Sequence, residues 1–155
     1  MRQSHSLLIA FSTLGFTTQA LEYKRGLTDH FVSWLNETGY EPYGFNRTEF
    51  FGGSFGGKET EEDTVTRDPV IFIHGNADMI IGDTPMNNGF RYSIEYFLSR
   101  GYKKSELYGS QYGYADVPHE PEHMLLKEYV HQIRTFVEAV LEYTGAKQVN
   151  IVAHS

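Results

Sequence analysis

Apolar strand-like segments alternate with amphipathic helical patterns in the second half of this 155-residue chain, and this alternation restricts the fold more than any other feature. Residues 70–73, Val-Ile-Phe-Ile, form a continuous apolar run, as in a strand covered on both faces of a parallel sheet. Residues 107–112 and 149–153 are the second and third predicted strands. The order β-α-β-α-β predicts an α/β fold with a three-stranded parallel core and right-handed crossovers.

The two helical patterns lie between the predicted strands, and each has apolar residues at three- and four-residue intervals. The first pattern contains Phe90, Ile94, Phe97 and Leu98. The second contains Leu126, Tyr129, Val130, Ile133, Phe136, Val137, Val140 and Leu141. These stripes predict helices that pack their apolar sides against the sheet.

The N-terminal part is predicted to add a helical and loop extension to this core. Residues 26–39 indicate a short helix that Thr28 or Asp29 can cap. Residues 52–58, Gly-Gly-Ser-Phe-Gly-Gly-Lys, formally match the phosphate-binding pattern G-x-x-x-x-G-K. However, Glu59 stands where that pattern needs Ser or Thr, and further acidic residues follow it. We therefore interpret the segment as a tight glycine-rich loop.

Residues 1–20 have the layout of a cleavable secretory signal peptide, with a basic start, an apolar run and a small-residue cleavage site. The apolar run is too short to span a membrane, and a buried N-terminal helix is the alternative. Asn36 and Asn46 begin N-glycosylation sequons. The sequence therefore predicts a secreted, extracellular glycoprotein with one mature domain over residues 21–155.

Charge and composition restrict the partners of the chain. The formal net charge is −7, which opposes binding to nucleic acid or to an anionic membrane surface and favours neutral substrates. Cysteine is absent, so thiolate chemistry is excluded. His119 and His123 have metal-pair spacing, but Pro118 and Pro121 interrupt the helix that such a pair needs. No metal or organic cofactor is expected.

The last predicted strand leads directly into a candidate nucleophile. Residues 153–155, Ala-His-Ser, follow the apolar residues of this strand. A buried strand that ends at a serine is how the nucleophile elbow G-x-S-x-G begins, here with alanine in the first position. Ser155 is therefore the candidate nucleophile.

The first predicted strand also ends at residues suited to catalysis, His74 and Gly75. Carboxyl ends of parallel strands share one edge of the sheet, where ligands bind. Gly75 permits a close backbone approach, so the amide of Asn76 or Ala77 is a candidate donor to an oxyanion. His74 fits a role in holding its own loop better than the role of a catalytic base.

Residues 70–76, 93–98 and 151–155 together resemble the class 2 secreted lipases of the α/β-hydrolase superfamily, in particular their nematode members. The resemblance extends over about residues 26–155 and implies the N-terminal half of an α/β-hydrolase. It implies a carboxylester or triacylglycerol lipase that acts on lipid or small ester substrates, for which a lipid–water interface is a compatible setting. It also implies Ser155 as nucleophile and Asn76 as an oxyanion-hole amide.

In that superfamily the acid and the general-base histidine follow the nucleophile, and the sequence has no residue after Ser155. We therefore expect the chain to be a truncated portion of such a lipase and to be inactive by itself. The alternative is a secreted, non-catalytic module on the same fold that binds lipid or protein, since a fold does not fix a function. The oligomeric state is not predicted.

Overall fold

The computed structural model describes residues 24–85, 87–115 and 117–155, so the predicted signal peptide lies outside the described residues. The helices in this part are α1 (Asp29–Glu37), α2 (Arg91–Ser99) and α3 (Lys127–Thr144). Short 3₁₀ helices lie at Glu41–Tyr43, Lys104–Glu106 and Val117–Glu122. The strands are β1 (Gly26–Leu27), β2 (Ser54–Gly56), β3 (Val70–Ile73), β4 (Ile81–Thr84), β5 (Asn87–Gly89), β6 (Leu107–Ser110) and β7 (Asn150–Ala153). Among the described helices, none is long and apolar enough to cross a membrane.

Five strands form the central sheet in the order β1-β2-β6-β3-β7, and β4 pairs with β5 in a separate hairpin. Strand β3 is parallel to both β6 and β7, with Val70 opposite Leu107 on one side and Asn150 on the other. The predicted three-stranded parallel core is therefore confirmed. The sheet also contains β1 and β2, which the sequence analysis did not predict, and β2 is antiparallel to β6.

The interpretation of residues 52–58 as a loop was wrong in its centre, because Ser54–Gly56 is strand β2. A Cβ atom on Gly56 would lie 2.2 Å from the backbone oxygen of Leu107, so only glycine permits this approach of the two strands. Gly56 also has a φ of 120°, which other residues rarely adopt. Pairing with β6, and not local strand preference, therefore determines the conformation of this segment.

The helices cover both faces of the sheet. On one face, α1 and α3 pack against the sheet through Phe31, Phe136 and Tyr143, which belong to the same buried cluster as Ile71 and Tyr108. On the opposite face, α2 and the β4–β5 hairpin bury the other side of β3 and β6 in a second cluster. The result is the layered α/β arrangement expected when helices cover a mostly parallel sheet.

A local signal explains where α1 begins, but the apolar pattern of α3 does not fully predict which side it buries. Thr28 caps α1 as predicted, since its Oγ1 accepts a hydrogen bond from the Phe31 amide at 3.2 Å. In α3, however, the predicted apolar stripe is only partly buried. Leu126 and Val130 are exposed, whereas the buried residues of this helix begin at Thr135. The expectation that the whole stripe packs on the sheet was therefore wrong for the first turn.

Candidate active site

The structure places the two predicted strand ends side by side. Strands β3 and β7 are direct neighbours, with Ile73 opposite Ala153, and the His154 amide donates to the carbonyl oxygen of Ile73 at 3.1 Å. The loop after β3 therefore lies against the residues after β7. A Cβ atom on Gly75 would lie 3.3 Å from the Cβ of Ser155, so glycine permits close contact between this loop and the serine.

Ser155 lies two residues after the end of β7. Its φ is 54°, one of three positive φ values among the non-glycine residues that the structure describes. A positive φ at the serine is one element of the nucleophile elbow. The expectation of a buried strand before it was wrong, because Asn150, Ile151 and Ala153 of β7 are exposed. Ser155 is exposed at the carboxyl edge of the sheet, where a substrate could reach it.

The loop after β3 is a tight turn that leaves a backbone donor available. The Asp78 amide donates to the carbonyl oxygen of Gly75 at 3.1 Å, which closes the turn around residues 76–77. Ala77 has a φ of 57° and is buried. Within the described part of the chain, the Ala77 amide has no hydrogen-bond acceptor. An amide in such a turn can stabilise a developing oxyanion if a carbonyl oxygen lies in front of it.

The side chain of Asn76 has a separate role in this loop. Its Nδ2 donates to the carbonyl oxygen of His123 at 3.2 Å. This hydrogen bond joins the loop after β3 to the segment that precedes α3. The candidate oxyanion loop is therefore held from two directions, by its own turn and by the neighbouring segment.

His74 is a buried support for the loop. Its Nδ1 lies 2.6 Å from the carbonyl oxygen of Gly75, and its Nε2 lies 3.1 Å from the Tyr112 amide nitrogen. The Tyr112 amide can only donate, so Nε2 accepts and Nδ1 carries the proton. The ring also stacks on Tyr112, with centroids 4.1 Å apart. The two nitrogens thus join the loop after β3 to the segment after β6.

Burial lowers the pKa of His74 to about 4, and the nearby Arg47 guanidinium acts in the same direction. The imidazole is therefore neutral at pH 7. Because its nitrogens bond to Gly75 and Tyr112, this ring is not placed to take a proton from Ser155.

A cleft of about 370 Å³ opens beside the end of β7. This volume lies within the usual range for small-molecule sites. The cleft is lined by Asp78, Asn88, Gly89, Phe90, Ser93, Ala153 and His154. Its wall combines an apolar ring with amide, hydroxyl and carboxylate groups, which suits an ester with a polar portion.

Two polar residues of this wall, Asn88 and Ser93, were missed by the sequence analysis. They lie on β5 and α2, in a region that the sequence marks only as turn-forming residues followed by an amphipathic helix. No local pattern indicates that the β4–β5 hairpin returns to the end of β7. Asp78, which has the sequence character of a turn former, also contacts this cleft while its Oδ1 accepts from the Met79 amide at 2.8 Å.

Neither His119 nor His123 is among the residues that line the cleft. His119 belongs to a 3₁₀ helix, and the ring of His123 lies 6.1 Å from that of Tyr114 between centroids. In the part of the chain with described coordinates, no group of three or more His, Cys, Asp or Glu side chains could hold a metal ion. Asn36 is exposed on α1, and Asn46 is half-buried; their glycosylation stays a prediction.

A mostly parallel α/β sheet with a serine turn and a glycine loop in contact at its carboxyl edge defines the class of protein. Residues 67–155, more than half of the chain, match the family described as lipase (class 2). The chain therefore belongs to the class 2 lipase family and has the character of a lipase-like hydrolase. None of the curated proteins searched matches this sequence.

Proposed function

We propose that this domain is a carboxylester hydrolase in which Ser155 is the nucleophile. The observation that carries the proposal is the contact between the Gly75 loop and Ser155, whose φ is 54°, at the carboxyl edge of the sheet. Both parts of this contact lie within the residues that match the lipase family.

In the proposed reaction, Oγ of Ser155 forms a bond to the acyl carbon, and its proton passes to a general base. The tetrahedral intermediate collapses, and the alcohol leaves with that proton. Water then attacks the acyl-enzyme, which releases the carboxylic acid and restores the serine hydroxyl. The backbone amide of Asn76 or Ala77 would stabilise the oxyanion, because preorganised donors need no reorientation during the reaction.

We propose neutral esters, including triacylglycerols, as the substrate class. The net charge of −7 and the carboxylate of Asp78 in the cleft disfavour anionic substrates. Family membership supports a lipid or ester substrate in general. We further propose that the domain is exported and glycosylated, on the basis of the pattern of residues 1–20 and the sequons at Asn36 and Asn46. N-terminal sequencing of the exported protein should begin at residue 21, and an intact residue 1 would contradict export by cleavage.

The 155-residue chain by itself is expected to be inactive. Both ring nitrogens of His74 are engaged in hydrogen bonds to Gly75 and Tyr112, and within the described residues no imidazole hydrogen-bonds to the hydroxyl of Ser155. A serine without a base typically loses on the order of 10⁴–10⁶ in rate. Hydrolysis of a short-chain p-nitrophenyl ester by this chain, abolished in Ser155→Ala, would show that a base is present after all.

A fluorophosphonate probe tests the nucleophile directly, since it reacts with a serine only when a base activates it. The probe is applied to the protein as isolated from its source, and not to the 155-residue chain by itself. The modified peptide is identified by mass spectrometry. We expect the label on Ser155, with Ser99→Ala as a matched control that keeps the label. Esterase activity with the label on another residue would refute the role of Ser155. The absence of both label and activity would favour a non-catalytic binding module.

A further inference from the structure

We propose that Gln111 is a positioning residue that holds the candidate oxyanion donors, the amides of residues 76–77, in place. Gln111 directly follows β6 and is buried, with 0% of its surface exposed. In the proposed reaction it touches no substrate and acts through the backbone of the loop after β3. The proposal deepens the proposed hydrolase function and rests on it, because these donors need a fixed position only where an oxyanion forms.

The side-chain amide of Gln111 holds the carboxyl end of the turn that carries the donors. Its Nε2 donates to the carbonyl oxygen of Asp78 at 2.7 Å and to that of Tyr112 at 3.2 Å. Both neighbours are acceptors, so the nitrogen of the side-chain amide must face them. Asp78 is also the residue whose backbone amide closes the turn on Gly75. The hydrogen bond from Gln111 therefore fixes this end of the turn relative to β6.

The next residue in the chain holds the opposite end of the same turn. The Tyr112 amide donates to Nε2 of His74, and the Tyr112 hydroxyl donates to the carbonyl oxygen of His74 at 3.0 Å. Two consecutive residues after β6 thus hold both ends of the turn. Between these ends, Ala77 has a φ of 57°, a conformation that is costly for residues other than glycine. Such a conformation persists only where contacts on both sides maintain it.

Arg47 fixes the segment from which both contacts come. Its Nη1 donates to the carbonyl oxygen of Gln111, and its Nη2 donates to that of Gly113 at 3.0 Å. The planar guanidinium therefore spans two carbonyl groups on either side of Tyr112, which a lysine ammonium cannot reproduce in the same geometry. The backbone amide of Gln111 donates in addition to the carbonyl oxygen of Gly53 at 2.7 Å. The segment after β6 is thus held independently of the turn that it supports.

The oxygen of the Gln111 side chain separates positioning from general stabilisation. Within the described residues, this buried Oε1 has no hydrogen-bond partner. A buried amide oxygen without a partner costs free energy, which offsets much of what the donated hydrogen bonds contribute. An unbranched apolar side chain of similar length should therefore give about the same stability at this position. We infer that the amide serves the position of Asp78 and not the stability of the fold.

The test variant is Gln111→Met, which keeps the length of the side chain and removes the amide. The matched control is Gln132→Met on α3, because Gln132 Nε2 also donates to a backbone carbonyl, that of Tyr43 at 3.3 Å, outside the loop. Hydrogen exchange followed by NMR in the full 155-residue chain measures the opening of the turn at the Asp78 amide. Amides of β3 report unfolding of the sheet in the same experiment, and urea unfolding measures the stability of each variant.

We expect the Asp78 amide to exchange about tenfold faster in Gln111→Met, since a turn held at only one end opens more often. Exchange in β3 and the urea midpoint should stay close to those of the unmodified chain. Gln132→Met should leave exchange of the Asp78 amide unchanged. An unchanged Asp78 amide in Gln111→Met, or equal acceleration throughout β3, would overturn the proposal.

Arg47→Lys is a second variant that weakens the support without a change at Gln111. It should accelerate exchange of the Asp78 amide by a smaller factor, about threefold, because the hydrogen bonds of the Gln111 side chain remain. This variant decides the matter if Gln111→Met does not fold. Exchange of the Asp78 amide that is no faster than in the unmodified chain would then count against the proposal.

Kinetics with a short-chain p-nitrophenyl ester test the link to catalysis, with the same substitutions introduced into the protein that its source produces. Misplaced donors lose their hydrogen bond to the oxyanion and not to the bound ester, so Gln111→Met should lower kcat about tenfold and leave KM within about twofold. Gln132→Met should change neither value. An unchanged kcat in Gln111→Met would refute the positioning role.

Failure of this proposal and failure of the proposed function give different results. If the unmodified protein neither hydrolyses the ester nor takes the fluorophosphonate label on Ser155, the hydrolase function is refuted. Exchange of the Asp78 amide in the 155-residue chain still decides whether Gln111 holds the turn. If the unmodified protein is active and labelled on Ser155 but Gln111→Met behaves like Gln132→Met, the positioning role alone is refuted.

Discussion

Acidification should destabilise the loop after β3, because His74 is held there in its neutral form. The side chain is 1% exposed, and burial lowers its pKa to about 4. In the unfolded chain, an ordinary histidine has a pKa of about 6.5. Between these two values the unfolded chain binds a proton that the folded chain does not, so the free energy of unfolding falls as the pH decreases.

The size of this effect follows from the difference between the two pKa values. The stabilisation is complete above pH 6.5, is lost progressively below it, and levels off near pH 4. A separation of about 2.5 pKa units corresponds to about 3 kcal/mol over the full window, of which about 2 kcal/mol is lost between pH 7 and pH 5. This is a large fraction of the stability of a domain of this size.

Urea unfolding at pH 7, 6, 5 and 4 measures the effect in the unmodified protein and in His74→Gln. The variant should be less stable at pH 7, because glutamine cannot reproduce the stacking on Tyr112. Between pH 7 and pH 5, however, its free energy of unfolding should fall by about 2 kcal/mol less than that of the unmodified protein. His119→Gln, at an exposed position, is the control and should retain the pH dependence of the unmodified protein. Parallel pH profiles for the unmodified protein and His74→Gln would refute a neutral, buried His74.

Four further substitutions have expected effects on the free energy of unfolding. Gly52→Ala should lower the free energy of unfolding by roughly 2–4 kcal/mol, since its Cβ would lie 1.9 Å from the Ile81 carbonyl oxygen. Gly39 also has a positive φ but lies in open space, so Gly39→Ala should lower it by only about 1 kcal/mol. Equal losses for the two variants in urea unfolding would contradict this. Glu106→Gln should cost about 3 kcal/mol, because the buried carboxylate accepts five hydrogen bonds, and an unchanged urea midpoint would contradict this. Leu126→Ser should raise the free energy of unfolding by about 1 kcal/mol, because Leu126 is the N-cap of α3 and a serine side chain can accept the hydrogen bond that leucine cannot. A lower melting temperature in calorimetry would contradict this.

Local sequence patterns predict most of the parallel core. The continuous apolar run 70–73 is a strand because both of its faces are covered, and the helical patterns arise because each helix buries one side. The candidate site could be predicted only in part. The edge at which Gly75 and Ser155 meet follows from parallel strands in general, but their direct contact requires β7 to lie next to β3. Strand order depends on interactions between distant segments, and no local pattern encodes it.

Two departures from the sequence predictions have a common physical origin. Strand β2 forms in a glycine-rich segment that has little intrinsic preference for a strand, because β6 supplies its hydrogen-bonding partner. The first turn of α3 has the apolar pattern of a buried helix, yet no described element covers Leu126 and Val130. In both cases the structure of the segment depends on whether another element contacts it, and not on the pattern of the segment alone. Periodicity predicts which side of a helix is apolar, but it does not predict what that side contacts.

The loop after β3 connects a rigid and an exposed part of the molecule. His74 fixes one end through hydrogen bonds to Gly75 and to the Tyr112 amide, inside the protein. Asn76 fixes the other end to the segment before α3, at the surface. Between these attachments lies Ala77, with a φ of 57° that the flanking contacts must maintain. Because the buried end cannot move without breaking two hydrogen bonds, any displacement of the segment before α3 must be absorbed at residues 76–78. Those residues carry the candidate oxyanion donors, so the same connection that orders the loop also makes its geometry depend on the exposed surface.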